Sequence, residues 1–363
     1  MHREKIVSIV GARPQFIKAA MICREMGKYP DLQHIVVHTG QHFDNNMSEI
    51  FFQQMHMPEP DFNLDIHGLS HGAMTGRMLE ALEKLLAELS PKIVIVYGDT
   101  NTTLAGALAA SKLKLDVAHV ESGLRSFNMD MPEEVNRTLT DRVSDILFCP
   151  TAASVSNLRD EGFEKRGCRM IRCGDVMYDA AIHFSKMVTT RPTVVNEFGD
   201  EDYVLCTIHR AENTDDIDKL RSIFEGLNRI ASEVRVIVPL HPRTKKVVEG
   251  AGIQADFLIV EPVGFLEMIG LLKNCKLVIT DSGGVQKEAY FYRKMCLTLR
   301  DETEWVELVE MGCNKLVGSD PDMIHESFKA AVSKEPVFES GTYGNGRASE
   351  TIVNELRAFI SSR

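Results

Sequence analysis

Short apolar runs rich in β-branched residues recur along this 363-residue chain, and stretches with helical spacing separate them. Runs that are apolar at successive positions are buried on both faces, the pattern of parallel strands covered by helices. In the first half they fall at residues 5–10, 34–38, 92–97, 117–120 and 146–149. In the second half they fall at 203–208, 234–240, 257–260, 277–280 and 296–299. Between them, residues 73–88 put Met74, Met78, Ala81, Leu82 and Leu85 on one helical face. Residues 218–231 and 265–273 read as helices too. The pattern predicts an α/β fold built on two sheets, each of at least five strands.

The length, more than twice a typical ~150-residue domain, agrees with two domains. The least organised stretch, residues 162–193, carries charges, glycines, a proline and one short helical pattern at 178–186. A boundary there gives a first domain of residues 1–175 and a second of 176–348. A last helical pattern, 349–360, follows a glycine-rich link at 340–347 and is expected to return to the first domain, adding residues 349–363 to it. Open parallel sheets bind ligands beyond the carboxyl ends of their strands. The expected active site therefore lies in the cleft between the two domains.

Composition narrows the partners. A net charge of −11 argues against nucleic acid and against anionic membranes as partners. No run approaches the ~18 apolar residues of a membrane span. The apolar run at residues 6–10 is too short for a secretory signal. Eight cysteines without a CxxC pair read as free thiols, and a cytoplasmic location is expected. His34, His38 and His42 have helical spacing, but the β-branched residues between the first two and Gly40 before the third place them on a strand and a loop, so no metal site is expected.

Polar clusters stand at the strand ends. Arg13 and Lys18 bring two cations to the turn after the first strand, which suits phosphate. Asp99, in Gly98-Asp99-Thr100-Asn101, fits a helix N-cap as well as a ligand. Glu121 closes a strand in His119-Val-Glu-Ser-Gly-Leu-Arg125, and Glu133 and Glu134 open a helix, where carboxylates suit the macrodipole. His209-Arg210-Ala-Glu-Asn213 and His241-Pro-Arg243 follow two strands of the second half. Asp281-Ser282-Gly283-Gly284 runs from a strand into a helix, and its glycines let backbone N–H groups approach an anion. Glu288, one turn further, is placed to accept from ribose hydroxyls.

Together with Thr39-Gly-Gln41-His42 and Tyr343-Gly-Asn-Gly-Arg-Ala-Ser-Glu350, these stretches resemble the non-hydrolysing UDP-N-acetylglucosamine 2-epimerases, in the family's order, from Gly11 to about Ser349. The resemblance implies two Rossmann-like domains in the GT-B arrangement, a UDP-sugar substrate, no cofactor and no metal. It implies inversion of C2 in a UDP-N-acetylhexosamine, UDP-GlcNAc to UDP-ManNAc, by elimination of UDP to a 2-acetamidoglucal and readdition. Asp99, Glu121, Glu133 and His209 match the family's catalytic residues. Arg13, Lys18, His241, Ser282, Gly283, Gly284 and Glu288 match its UDP-sugar-binding positions. Gln41, His42 and Arg210 match residues around a second, allosteric UDP-GlcNAc of some bacterial members, and the family usually forms homodimers.

Two departures bear on the substrate. The family pattern Gly-Thr-Arg-Pro-Glu reads Gly11-Ala-Arg-Pro-Gln15 here, and Thr-Glu-Arg-Pro-Glu reads Thr303-Glu-Trp-Val-Glu307. Both resemble the branch that acts on UDP-2,3-diacetamido-2,3-dideoxy-glucuronate. Trp305, the only tryptophan, fits core packing as well as a sugar contact. A glycosyltransferase of the same fold gives no reason for three carboxylates together, and a non-catalytic UDP-sugar sensor would not need them.

Overall fold

The computed structural model describes residues 3–42, 55, 57–188, 192–196, 201–333 and 336–362. Two parallel sheets are present, each within its own compact unit. In the first unit β1 (Glu4–Val10), β2 (Leu32–His38), β3 (Phe62–Asn63), β4 (Ile93–Tyr97), β5 (Asp116–Val120), β6 (Ile146–Cys149) and β7 (Arg169–Arg172) lie in the order β3-β2-β1-β4-β5-β6-β7. In the second, β8 (Tyr203–Thr207), β9 (Arg235–Pro239), β10 (Leu258–Val260), β11 (Leu277–Thr280), β12 (Met295–Thr298) and β13 (Asn314–Leu316) lie in the order β10-β9-β8-β11-β12-β13. Each order reverses once, between β1 and β4 and between β8 and β11, and such a reversal opens a crevice at the strands' carboxyl ends.

The central strands carry the core because both their faces are covered. All five residues of β4 are buried, and Val7 of β1 is in register with both Ile35 and Val94. The helix His71–Leu89 lays Met78, Leu82 and Leu86 on this sheet, with Met74 and Leu85 at the margins. In the second unit Leu220, Ile223, Phe224, Leu227 and Ile230 of the helix Ile217–Ala231 pack on β8, β9 and β11. Each fully buried Leu, Ile or Phe side chain stabilises the fold by about 1.5–3 kcal/mol.

The units are Met1–Ile182 with Ser340–Arg363, and His183–Glu339. The expected boundary at residues 175/176 therefore falls seven residues earlier than the observed one (182 − 175 = 7), and the return link from Ser340 sits in the first unit. Asp179 shows why. It lies in the helix Val176–Ser185, and its carboxylate accepts from the Ala348 and Ser349 N–H groups and the Ser349 hydroxyl, at 3.0, 2.7 and 2.6 Å. It thus caps the last helix, Ala348–Ser361, whose own N-cap Arg347 gives no side-chain cap. Asp175 N–H also donates to the Tyr343 carbonyl, so the two stretches that cross between units are tied together on the first. Residues 189–191 of the stretch expected to be least organised lie outside the described residues.

Candidate active site

The first unit's polar residues gather beyond β1, β4 and β5, which are neighbours in the sheet. Gln15 ties two of these ends together. It is buried in the first turn of the helix Arg13–Met26, and its side-chain oxygen accepts from the Gly11 and Ala12 N–H groups at 2.8 and 3.0 Å. Its amide nitrogen donates to the Tyr97 carbonyl and to the Thr100 and Thr103 hydroxyls, at 2.8, 3.0 and 2.9 Å. The departure at position 15 is thus a hub within the core. Gln41 and His42 hold the same turn. The Gln41 side-chain oxygen accepts from the Thr102 hydroxyl at 2.8 Å, and His42 N–H donates to the Gly11 carbonyl at 2.8 Å. His42 Nδ1 accepts from Arg13 N–H at 3.4 Å.

Lys18 is not exposed on a basic turn. Its ammonium is buried and forms an ion pair with Glu121. Glu121 occupies a left-handed conformation, φ 74°, costly for a residue with a Cβ. Its N–H and that of Ser122 both donate to the Phe148 carbonyl at 3.1 Å, which holds the turn. Gly98, φ 63°, leaves room beside the pair: a Cβ there would stand 3.2 Å from Glu121 Oε2 and 3.3 Å from Lys18 Nζ. Below it, His119 links the Gly98 carbonyl to Asp141, both at 2.7 Å. Burial pushes the Asp141 carboxyl up, but His119 and then Arg125 outweigh it and hold it below the ordinary value.

Asp99 is not the N-cap of the helix Asn101–Lys112; the Thr100 hydroxyl takes that place. The Asp99 carboxylate instead meets Arg137 at 2.5 Å, and its carbonyl accepts from Asn136 at 2.9 Å. Both partners come from the second turn of the helix Pro132–Val143. The two glutamates that open this helix differ. Glu134 is buried and accepts from the Ser126 and Phe127 N–H groups at 2.9 and 3.1 Å. Glu133 is half-buried, and its side chain forms no hydrogen bond or ion pair with another described residue.

The second unit's candidates stand beyond β8, β9 and β11, again neighbours. His209 Nδ1 meets Asp281 at 2.8 Å, with the ring more than half exposed and the carboxylate fully buried. Burial raises the Asp281 pKa, but the His209 side chain and the His209 and Arg210 N–H groups overcome it, and the carboxyl lies below its ordinary value. Arg210 directs its side chain toward Glu212 at 3.8 Å. The exposed His241 caps the helix Pro242–Gly250, and Ser282 caps the helix Gly283–Phe291 through Val285 N–H at 3.5 Å. A Cβ at Gly284 would meet only Ser282 Oγ, at 3.9 Å, whereas a Cβ at Gly283 would strike Glu304. Glu288, one turn in, is half-buried; burial and then its charge raise the Tyr292 hydroxyl pKa.

Trp305 is buried behind this turn. Its Nε1 is 3.7 Å from where a Gly283 Cβ would stand, and the Lys287 ammonium sits 4.1 Å from its ring centroid. Among the described residues no group of three His, Cys, Asp or Glu side chains is arranged to hold a metal ion.

The sequence model of UDP-N-acetylglucosamine 2-epimerase matches residues 24–357. The chain belongs to the UDP-N-acetylglucosamine 2-epimerase family. It is 54% identical over 353 residues, 97% of this chain and 99% of the relative, to the UDP-2,3-diacetamido-2,3-dideoxy-D-glucuronate 2-epimerase of Pseudomonas aeruginosa. The crystal structure of the Methanocaldococcus jannaschii UDP-GlcNAc 2-epimerase in complex with UDP-GlcNAc and UDP matches with a TM-score of 0.90 at 42% identity, covering 98% of this chain and 99% of that one. The Neisseria meningitidis enzyme bound to UDP-GlcNAc matches with a TM-score of 0.87 at 30% identity, covering 98% and 100%. The two-domain α/β fold is that of these epimerases, the GT-B class expected from the sequence, and the protein is an isomerase of this family. No described helix is long and apolar enough to cross a membrane.

Asp281, Arg137 and Asp141 were not singled out from the sequence. Asp281 lies inside a motif that was, Arg137 comes three residues after Glu134, and their position beside His209 and Asp99 is a tertiary fact. Asp141 gives no local signal, since an aspartate in a helix is ordinarily exposed.

Proposed function

We propose that the protein inverts C2 of UDP-2,3-diacetamido-2,3-dideoxy-glucuronate by eliminating UDP and adding it back. The observation that carries the choice of sugar is the 54% identity, over nearly the whole of both chains, to the Pseudomonas aeruginosa enzyme of that name. The proton on C2 is not adjacent to a carbonyl and is only weakly acidic. Ionising the anomeric C–O bond first gives C1 oxocarbenium character and makes that proton labile. Loss of the proton leaves a 2-acetamidoglucal, and reprotonation on the other face followed by UDP attack at C1 gives the epimer.

The arrangement supports a division of labour. Asp99 and Glu121 each have a cation partner, Arg137 and Lys18, and suit fixed negative charge beside the oxocarbenium. Glu133, whose side chain forms no hydrogen bond or ion pair with another described residue, is the carboxylate of the three left to meet the substrate. Within the second unit the helix N-terminus at Ser282–Gly284 suits the pyrophosphate, and Glu288 the ribose. His209 and His241 follow the neighbouring strands β8 and β9, and Lys18 suits the counter-ion of Glu121.

The test is kcat/KM for this sugar against UDP-GlcNAc. The expected ratio is at least about tenfold in its favour, since a site built for polar substituents rejects an analogue lacking them. A ratio of one or below establishes the second reading, UDP-GlcNAc, which the match to the Methanocaldococcus jannaschii enzyme favours.

A further inference from the structure

The contacts of His209 contain more than its proximity to a ligand site. Asp281 follows β11 directly, is fully buried, and has one carboxylate engaged from several sides. It accepts from His209 N–H at 3.0 Å, from Arg210 N–H at 3.0 Å and from the Asn213 amide at 3.2 Å, and it meets His209 Nδ1 at 2.8 Å. Asn213 is itself fixed by the Leu299 carbonyl at 3.1 Å. An ionised carboxylate only accepts hydrogen bonds, so Nδ1 must be the donor in this contact. The neutral ring then carries its lone pair on Nε2, on the half of the imidazole that is not engaged by Asp281. In a free imidazole side chain the other tautomer, with the proton on Nε2, predominates.

We propose that Asp281 is the positioning residue of the site, fixing His209 as the Nδ1–H tautomer so that Nε2 is the ring atom that exchanges a proton with the bound substrate. In the chain Asp281 is followed by Ser282, whose side chain caps the helix Gly283–Phe291. The part that concerns the substrate rests on the epimerase reading above; the tautomer does not.

The experiment is nitrogen-15 and proton NMR of the histidine rings in the full-length protein without ligand, with His209→Gln used to assign the signal. The expected result is an Nδ1–H signal and an unprotonated Nε2 for the neutral ring. An Nε2–H tautomer overturns the proposal. In Asp281→Asn, whose fold is checked by circular dichroism, the expected result is loss of the Nδ1–H preference and a fall in turnover of at least ~100-fold, the scale of an acid–base contribution. Retention of both the tautomer and the turnover also overturns it. An Nδ1–H ring in a protein whose His209→Gln variant turns over normally upholds the positioning and overturns the role of His209 in the reaction.

Discussion

Replacing Lys18 with methionine keeps an unbranched side chain of similar reach and removes only its ammonium. The lysine and Glu121 side chains are 6% and 11% exposed, so the pair lies largely out of water. Breaking a buried pair from one side leaves the other charge uncompensated and costs ~3–5 kcal/mol. The small exposure of Glu121 lets some water reach the stranded carboxylate, which places Lys18→Met near the lower end, at about 3 kcal/mol. That is within the ~5–15 kcal/mol of a typical domain, so the variant still folds. Adding Glu121→Gln removes the stranded charge and recovers roughly 2 kcal/mol of the loss. Urea unfolding of the wild type, both single variants and the double variant gives the coupling directly. If the single losses add to within ~0.5 kcal/mol, the two side chains do not sense each other and the argument from the ion pair fails. Calorimetry on Lys18→Met separates the two roles of the lysine. A counter-ion of Glu121 leaves UDP affinity unchanged, whereas a phosphate ligand costs about 1.4 kcal/mol or more, a tenfold loss.

Other outcomes follow from the same contacts. Glycine meets the φ of 74° at position 121 without strain, so Glu121→Gly should be more stable than Glu121→Ala by ~1 kcal/mol; equal urea midpoints would remove strain from the account. Ser282→Ala should weaken UDP binding measured by calorimetry at least about fivefold, with loss of the cap costing ~1 kcal/mol of stability; an unchanged affinity would count against a phosphate site there. Asp141 has a depressed pKa, so its stabilisation is complete above the unfolded value of about 3.9 and is lost as pH falls through the native value. Asp141→Asn should therefore be less stable at pH 7 and show a flatter acid limb than the wild type; parallel limbs would contradict the pairing with His119 and Arg125.

The central strands were legible because burial on both faces writes an uninterrupted apolar run. The edges were not. Phe62–Asn63 is a two-residue exposed strand, Arg169–Arg172 has two half-buried residues between exposed arginines, and Asn314–Leu316 is three residues long. The domain boundary was misjudged by a few residues because Asp179 acts across the chain, on a helix that begins at Ala348. In the site, the strand-end rule led to Asp99, Glu121, His209 and Ser282. It could not say that Thr100 rather than Asp99 caps its helix, or that Lys18 turns inward to Glu121. Those outcomes depend on which partners the packed units bring within reach, and a local pattern carries no record of them.

Elimination and readdition are tested most directly by proton NMR of the sugar when the protein turns over UDP-2,3-diacetamido-2,3-dideoxy-glucuronate in D2O. The account predicts solvent deuterium at C2 of the inverted sugar, accumulating in the remaining substrate as the reaction reverses. Inversion at C2 with the original proton retained would contradict it.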